Sequence, residues 1–172
     1  TSMIKSPAKK YAAPGIYTVK QTITTQEGCT ADTFKTVDVT IPPIAKFTVS
    51  SPTCVGSAIT FSDLSAAVSG TLVKWIWDYG DGRSDTLNAS SNRTITYTNF
   101  GNYTVRLTVQ TQSGCSTSFS IPISIGTFPK ADFLLPEVCL TDAFAAFMNS
   151  STNIDGSILS SKWYWRFGDA NA

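Results

Sequence analysis

Histidine is absent from the 172 residues. That removes the side chain whose ordinary pKa lies nearest neutrality, the usual base beside a Ser or Cys nucleophile, and the commonest zinc ligand. Charge is scarce as well: 15% of residues are Asp, Glu, Lys or Arg and the net charge is +1, where an average soluble protein is about 25% charged. Such a balance gives no electrostatic footprint for nucleic acid or an anionic membrane. No apolar run approaches the ~18 residues a membrane-spanning helix needs, and the N-terminus lacks a signal-peptide pattern, as expected of a mature or excised chain. None of the four cysteines forms a C-x-x-C pair, which favours disulfides in an oxidising compartment over a metal site. With no nucleophile–base pair, metal cluster or phosphate loop, the expectation is a non-enzymatic extracellular protein without a cofactor.

What the chain has is aromatic residues in alternation. In KWIWDYGDG, at 74–82, Trp75, Trp77 and Tyr79 share one side of a period-two pattern, while Lys74, Ile76 and Asp78 take the other. The run stops at Gly80-Asp81-Gly82, where glycines admit positive φ and Asp can bond neighbouring backbone. A near copy, KWYWRFGDA, returns at 162–170, with Trp163, Trp165 and Phe167 in the aromatic places. Likewise PGIYTVKQTITTQEGC at 14–29 lies over FGNYTVRLTVQTQSGC at 100–115, so that Gly15 matches Gly101 and Cys29 matches Cys115 with 86 residues between them. Tyr11 and Tyr97, Phe47 and Phe133, and Phe61 and Phe147 share that spacing; Cys139 follows Cys54 by 85 and Trp165 follows Trp77 by 88, small changes suited to loops. The chain is a repeat.

Each period resolves into short strands: 46–50, 58–64 and 73–79, one or two weaker strands ending near 94–97, then 103–110 and 119–125. On the 103–110 strand Tyr103, Val105, Leu107 and Val109 form an inward row, and on the last strand Phe119, Ile121, Ile123 and Ile125 do so. Short strands at this spacing without a helical period predict an all-β fold of antiparallel sandwiches.

Trp77, Asp78, Gly80, Asp81 and Gly82, then Tyr97, Gly101, Tyr103, Val105, Leu107 and Val109, fill a W-D-F-G-D-G … Y-x-x-x-G-x-Y-x-V-x-L-x-V pattern. On these residues the chain resembles the PKD (polycystic kidney disease) repeat, an immunoglobulin-like sandwich. Trp165, Gly168 and Asp169 carry the second copy. Arg166 stands for the Asp, Ala170 for the last Gly, and Gln21 where Leu107 does. The cysteines are similar to those of PKD repeats in surface proteins of Bacteroidetes-type, type IX-secreting bacteria. The resemblance implies a structural motif in Asp78 and Asp81; with Asp85 they are also weak Ca²⁺ candidates. From the same source class it implies O-glycosylation at Thr86 (in DTL) and Thr33 (in DTF).

Residues 44–129 hold one complete unit, 1–43 the back half of another and 130–172 the front half. Laid end to end, the two halves read as an unbroken unit. The expectation is one period of a head-to-tail array, whether a tandem polypeptide or separate copies completing each other's split domain. In an immunoglobulin-like topology Cys54 and Cys115 lie at opposite ends of the sandwich. Pairing is then expected across junctions, Cys54 with Cys29 of the following domain and Cys139 with Cys115 of the one after it, although intradomain pairs or free thiols stay open. The leading functional reading is a structural repeat of an adhesin-associated stalk or surface fibre that binds its own kind. The alternative is a PKD-type module, carried on a secreted hydrolase or adhesin, that contacts a surface glycan or protein.

Overall fold

A computed structural model describes residues 3–136, 145–157 and 162–168. Among them lie β1 (Gly15–Thr24), β2 (Thr30–Val39), β3 (Phe47–Val49), β4 (Ala58–Asp63), β5 (Leu72–Asp78), β6 (Ser84–Leu87), β7 (Arg93–Thr96), β8 (Gly101–Thr111), β9 (Ser116–Ile125), β10 (Phe133–Leu134) and β11 (Met148–Asn149). All strand pairs are antiparallel. The polar stretch after the glycine turn supplies β6 and β7. No described helix is long and apolar enough to cross a membrane.

The central unit is a sandwich of a three-stranded sheet, β3-β4-β7, and a four-stranded sheet, β6-β5-β8-β9. Its core follows from alternation: Trp75 and Trp77 on β5, Val105, Leu107 and Val109 on β8, and Ile123 and Ile125 on β9 face Phe47, Ile59 and Phe61 of the other sheet, all buried. The rings meet at angles as well as in parallel: Phe47 lies edge-on to Trp77 with centroids 5.1 Å apart, and Trp77 and Tyr79 are parallel at 6.4 Å. Such packing adds to the burial of aromatic area. The expected inward row of β9 fades along its length, because Phe119 stays partly exposed, although its ring still touches Phe47 at 5.6 Å.

The turn after β5 is closed by its own side chains. Asp78 accepts a bond from the Gly80 N–H at 3.0 Å and Asp81 one from the Arg83 N–H at 3.0 Å. Gly80 has φ +76°, and a Cβ built there would sit 2.7 Å from the Thr104 carbonyl oxygen. Only glycine lets β8 run so close beneath the turn. Tyr97, buried under it, donates its hydroxyl to the Tyr79 carbonyl at 2.9 Å.

The remaining strands form two separate pieces, β1-β2 and β10-β11. Each repeats part of the central unit contact by contact at the 86-residue spacing. Gly15↔Val39 through Thr24↔Thr30 reproduces Gly101↔Ile125 through Gln110↔Ser116, and the Tyr17 hydroxyl bonds Ala13 O at 2.8 Å as Tyr103 bonds Asn99 O at 3.0 Å. In the other piece Phe133↔Asn149 reproduces Phe47↔Asp63, and the bridge Lys130↔Thr152 reproduces Ile44↔Ala66.

Candidate functional site: two uncovered half-sandwich faces

In residues 130–168 the aromatic core of a sandwich is assembled but not covered. Phe133 is edge-on to Trp165 at 5.3 Å and to Phe147 at 6.0 Å, while Trp165 and Phe167 lie parallel at 6.4 Å and 5°. The matching central rings, Phe47, Phe61, Trp77 and Tyr79, keep nearly the same separations. Their surroundings differ: Trp77 is 0% exposed and Trp165 39%, Tyr79 1% and Phe167 58%. Gly168 repeats the left-handed turn of Gly80 with φ +79°, yet among the described residues nothing lies within 4 Å of where its Cβ would be, and no counterpart of β8 runs beneath it.

The β1–β2 hairpin has the complementary deficit. Its row Tyr17, Val19, Gln21 and Ile23 corresponds to Tyr103, Val105, Leu107 and Val109. Val109 is 0% exposed, whereas Ile23 is 60% exposed. In the central unit β8 is hydrogen-bonded between β5 and β9, with Trp75 opposite Val109, Trp77 opposite Leu107 and Asp78 opposite Arg106. The hairpin has its β9 equivalent, but among the described residues no strand takes the place of β5, and the inward row is largely exposed.

The other expected site residues lie mostly in the central unit. Asp81 is held by Arg83, whose Nε and Nη2 donate to one carboxylate oxygen at 2.8 and 2.6 Å. Asp85 accepts from the Tyr79 hydroxyl at 2.8 Å and pairs with Arg93. Asp78 lies 3.9 Å from Arg106. With an arginine at each carboxylate the turn is internally neutralised, and no group of three potential metal ligands occurs among the described residues. The pKa shifts follow the contacts. Burial outweighs a donated bond from Arg93 and raises the Tyr79 hydroxyl to about 12; Asp85 is lowered by the bond from Tyr79, against some desolvation, and by Arg93. Burial likewise raises Tyr97 to about 12. The contacts form a structural clasp around the two tyrosines.

Thr86 is exposed on β6 and Thr33 on β2. Thr33 occupies the place of Phe119, whose ring lies against Phe47, so covering the aromatic half would draw it toward the sheet interface. Cys29, Cys54 and Cys115 are free thiols in the single chain, and Cys139 and Asp169 lie outside the described residues. Cys54 forms a bridge with Gly126 after β9, while Cys115 lies before β9 beside Thr40. Ten residues of β9 separate those ends, ~33 Å at ~3.3 Å per residue. A disulfide needs Cα atoms within about 7 Å, so the two cannot pair within one unit. The seating of the linkers was not visible in sequence. The Ile41 N–H donates to Ser69 Oγ at 3.2 Å and the Thr127 N–H to Asp155 Oδ2 at 2.6 Å, an 86-residue correspondence carried by two different side chains.

Residues 40–125, half of the chain, match the family described as "PKD domain". The chain is 29% identical over 127 residues, 72% of its length, to the pre-pro-metalloprotease PrtV of Vibrio cholerae serotype O1, of which it spans 13%. Among solved structures, the PKD1 domain of that V. cholerae metalloprotease is 29% identical with a TM-score of 0.44, covering 49% of this chain and 98% of the domain. The PKD1 domain of Vibrio anguillarum Epp is 26% identical with a TM-score of 0.44, covering 50% and 95%. A structure reported for the promiscuous specificity of carbohydrate-binding modules from the β-sandwich superfamily is 23% identical with a TM-score of 0.47, covering 62% and 52%. Sandwich, glycine turn and paired tyrosines converge with the sequence match: the chain belongs to the PKD domain family.

Proposed function

We propose that this chain is the structural repeat unit of an extracellular head-to-tail array, a stalk or surface fibre, in which the aromatic half at 130–168 is closed by the β1–β2 hairpin of the next period or copy. The observation that carries the reading is the central unit, which is the template for such a joint. Its aromatic half and its β8–β9 hairpin match the two terminal halves in strand register and ring spacing, and in the central unit they are packed together. Transferring the β5–β8 register sets Trp163 opposite Ile23, Trp165 opposite Gln21 and Arg166 opposite Lys20. Gln21 brings an amide oxygen toward Trp165, whose counterpart Trp77 keeps a buried indole N–H without a partner. Tyr11 would take the place of Tyr97 and cap the Phe167 carbonyl.

The chemistry of the joint is strand addition with core closure. Backbone bonds along β1 join Trp163, Trp165 and Phe167 going into an apolar interior. A head-to-tail contact of this kind does not close on itself and propagates as a fibre. The tryptophans of the central unit are buried, so they form no sugar-stacking row there. Electron microscopy of the purified chain tests the reading. Filaments with an axial repeat of two sandwiches, roughly 65–75 Å from strands of ten or eleven residues at ~3.3 Å each, support it. Dispersed single particles at high concentration overturn it.

A further inference from the structure

The two linkers show opposite sides of what is by sequence the same junction. Residues 40–44 and 126–130 correspond at the 86-residue spacing, and each is held to the unit that follows it by the same backbone bridge, Ile44↔Ala66 and Lys130↔Thr152, and by the same N–H donor at 41 and 127. At the first linker the following unit is whole, and its β8–β9 turn reaches back to the linker. There the Thr40 hydroxyl lies 2.9 Å from Ser113 Oγ and 3.1 Å from Cys115 Sγ. At the second linker the preceding unit is whole, and its loop before β4 lies against Gly126: Val55 N–H donates to Gly126 O at 2.8 Å, Gly126 N–H donates to Thr53 O at 3.0 Å, and Cys54 is the bridged residue between them.

Positions 40 and 126 are equivalent, so a completed junction has a cysteine on each side of one linker residue. From the preceding unit comes Cys54. From the following unit comes the residue at the Cys115 place, which in the closed split unit is Cys29 of the next copy. The two hairpin turns are built alike: the Thr25 N–H bonds Cys29 O at 2.8 Å and the Gly28 N–H bonds Thr25 O at 3.1 Å, as the Thr111 N–H bonds Cys115 O at 2.9 Å and the Gly114 N–H bonds Thr111 O at 2.9 Å. At position 126 the linker residue is glycine, with no hydroxyl in the place from which Thr40 contacts Cys115. The arriving Cys29 thiol therefore meets no Thr partner there, and the bridged neighbour of Gly126 is Cys54.

We infer that Cys54 of one copy and Cys29 of the next form a disulfide across the junction, locking a joint first made by strand addition. The inference rests on the head-to-tail reading above. The two thiols lose two protons and two electrons to a disulfide oxidant, such as oxidised glutathione, which leaves as two thiols. A bridge at this place links successive units beside the linker, where tension along the array would otherwise be borne by a few backbone bonds.

The test uses the full chain with C115S and C139S, so that only Cys29 and Cys54 remain. Copies labelled with ¹⁴N and ¹⁵N are mixed, assembled, and oxidised with glutathione disulfide; parallel samples stay reduced and are sized by light scattering. The expected result is assembly in both samples, with a ladder of covalent multimers only in the oxidised one. Peptide mapping should find Cys54 joined to Cys29 between differently labelled copies, and the unsubstituted chain should give the same peptide. Adding C54S should abolish the ladder and leave assembly intact. Assembly with free thiols, or with Cys29–Cys29 or Cys54–Cys54 links instead, overturns the disulfide and leaves the head-to-tail reading standing. Absence of assembly in the reduced sample overturns both.

Discussion

The central unit and the two terminal pieces are built from nearly the same sequence, yet the first has a closed core and the others do not. Trp77 and Trp165 sit in equivalent ring clusters, and what separates them is whether a β8-type strand lies alongside. Local sequence suffices to shape a hairpin and an aromatic half-face. Burial, which dominates folding stability at about 25 cal/mol per Å² of apolar area, comes only when the two meet. Among the described residues, each terminal piece carries a row of large apolar side chains that no other strand covers, the kind of surface on which the proposed association rests.

Substitutions at equivalent places should break or sharpen this comparison. The largest contrast is expected between Trp77→Ala and Trp165→Ala. The first removes a fully buried indole and should cost about 3–5 kcal/mol of unfolding free energy. The second should leave thermal melting of the dilute chain within a degree or two while abolishing assembly, as read by sedimentation. Equal destabilisation by both would mean that the terminal half is already closed.

Gly80→Ala comes next. It sets a Cβ against the Thr104 carbonyl in a left-handed conformation and should lower stability by about 1–3 kcal/mol. Gly168→Ala should weaken assembly more than it affects melting of the dilute chain, because among the described residues nothing lies within 4 Å of the position its Cβ would take. Tyr97→Phe, which orphans the buried Tyr79 carbonyl, should cost about 1–2 kcal/mol, against no measurable loss for Tyr11→Phe in dilute solution.

The clasp around Tyr79 gives the central unit a pH dependence on both the acid and the alkaline side, whereas in the hairpin the Lys20 bond holds Asp32 below its ordinary value. Asp85 has a lowered folded pKa, so its contribution is present above the ordinary carboxylate range and is lost as pH falls through the folded value. Tyr79 and Tyr97 are raised to about 12, so their contribution is full below about pH 10 and disappears between pH 10 and about 12. Melting midpoints should therefore be flat from about pH 5 to 9 and fall on both sides. With Asp85→Asn the acid-side fall should shrink.

The smallest effect is expected at the one charge mismatch in the joint. Arg166 replaces the Asp that faces Arg106 in the central unit, and in the joint it would face Lys20, already paired with Asp32 at 2.8 Å. Arg166→Asp should tighten assembly by about two- to fivefold, equivalent to the ~0.2–1 kcal/mol of a cross-strand ion pair. Weaker assembly would contradict the transferred register.

Much of the fold could be read from residues alone because alternation is a local signal. Trp75, Trp77 and Tyr79 announce an inward face, Gly80-Asp81-Gly82 a turn, and the 86-residue spacing aligns the pieces. What escaped depends on tertiary context. Phe119 has the right periodicity but lies where the core thins. The arginine clasps on Asp81 and Asp85 depend on Arg83, in the turn before β6, and Arg93, at the start of β7, folding back onto them, which spacing does not encode. The linker seat was hidden because Ser69 and Asp155 do one job with different side chains.

The most direct test of the central claim is the location of contact between residues 162–168 and β1. A photoreactive amino acid in place of Trp163, in an equimolar mixture of ¹⁴N- and ¹⁵N-labelled chains, should cross-link at or next to Ile23, with half of the linked peptides joining a light copy to a heavy one. Links that stay within single copies, or fall elsewhere on the sandwich, would contradict the claim that each copy completes its neighbour.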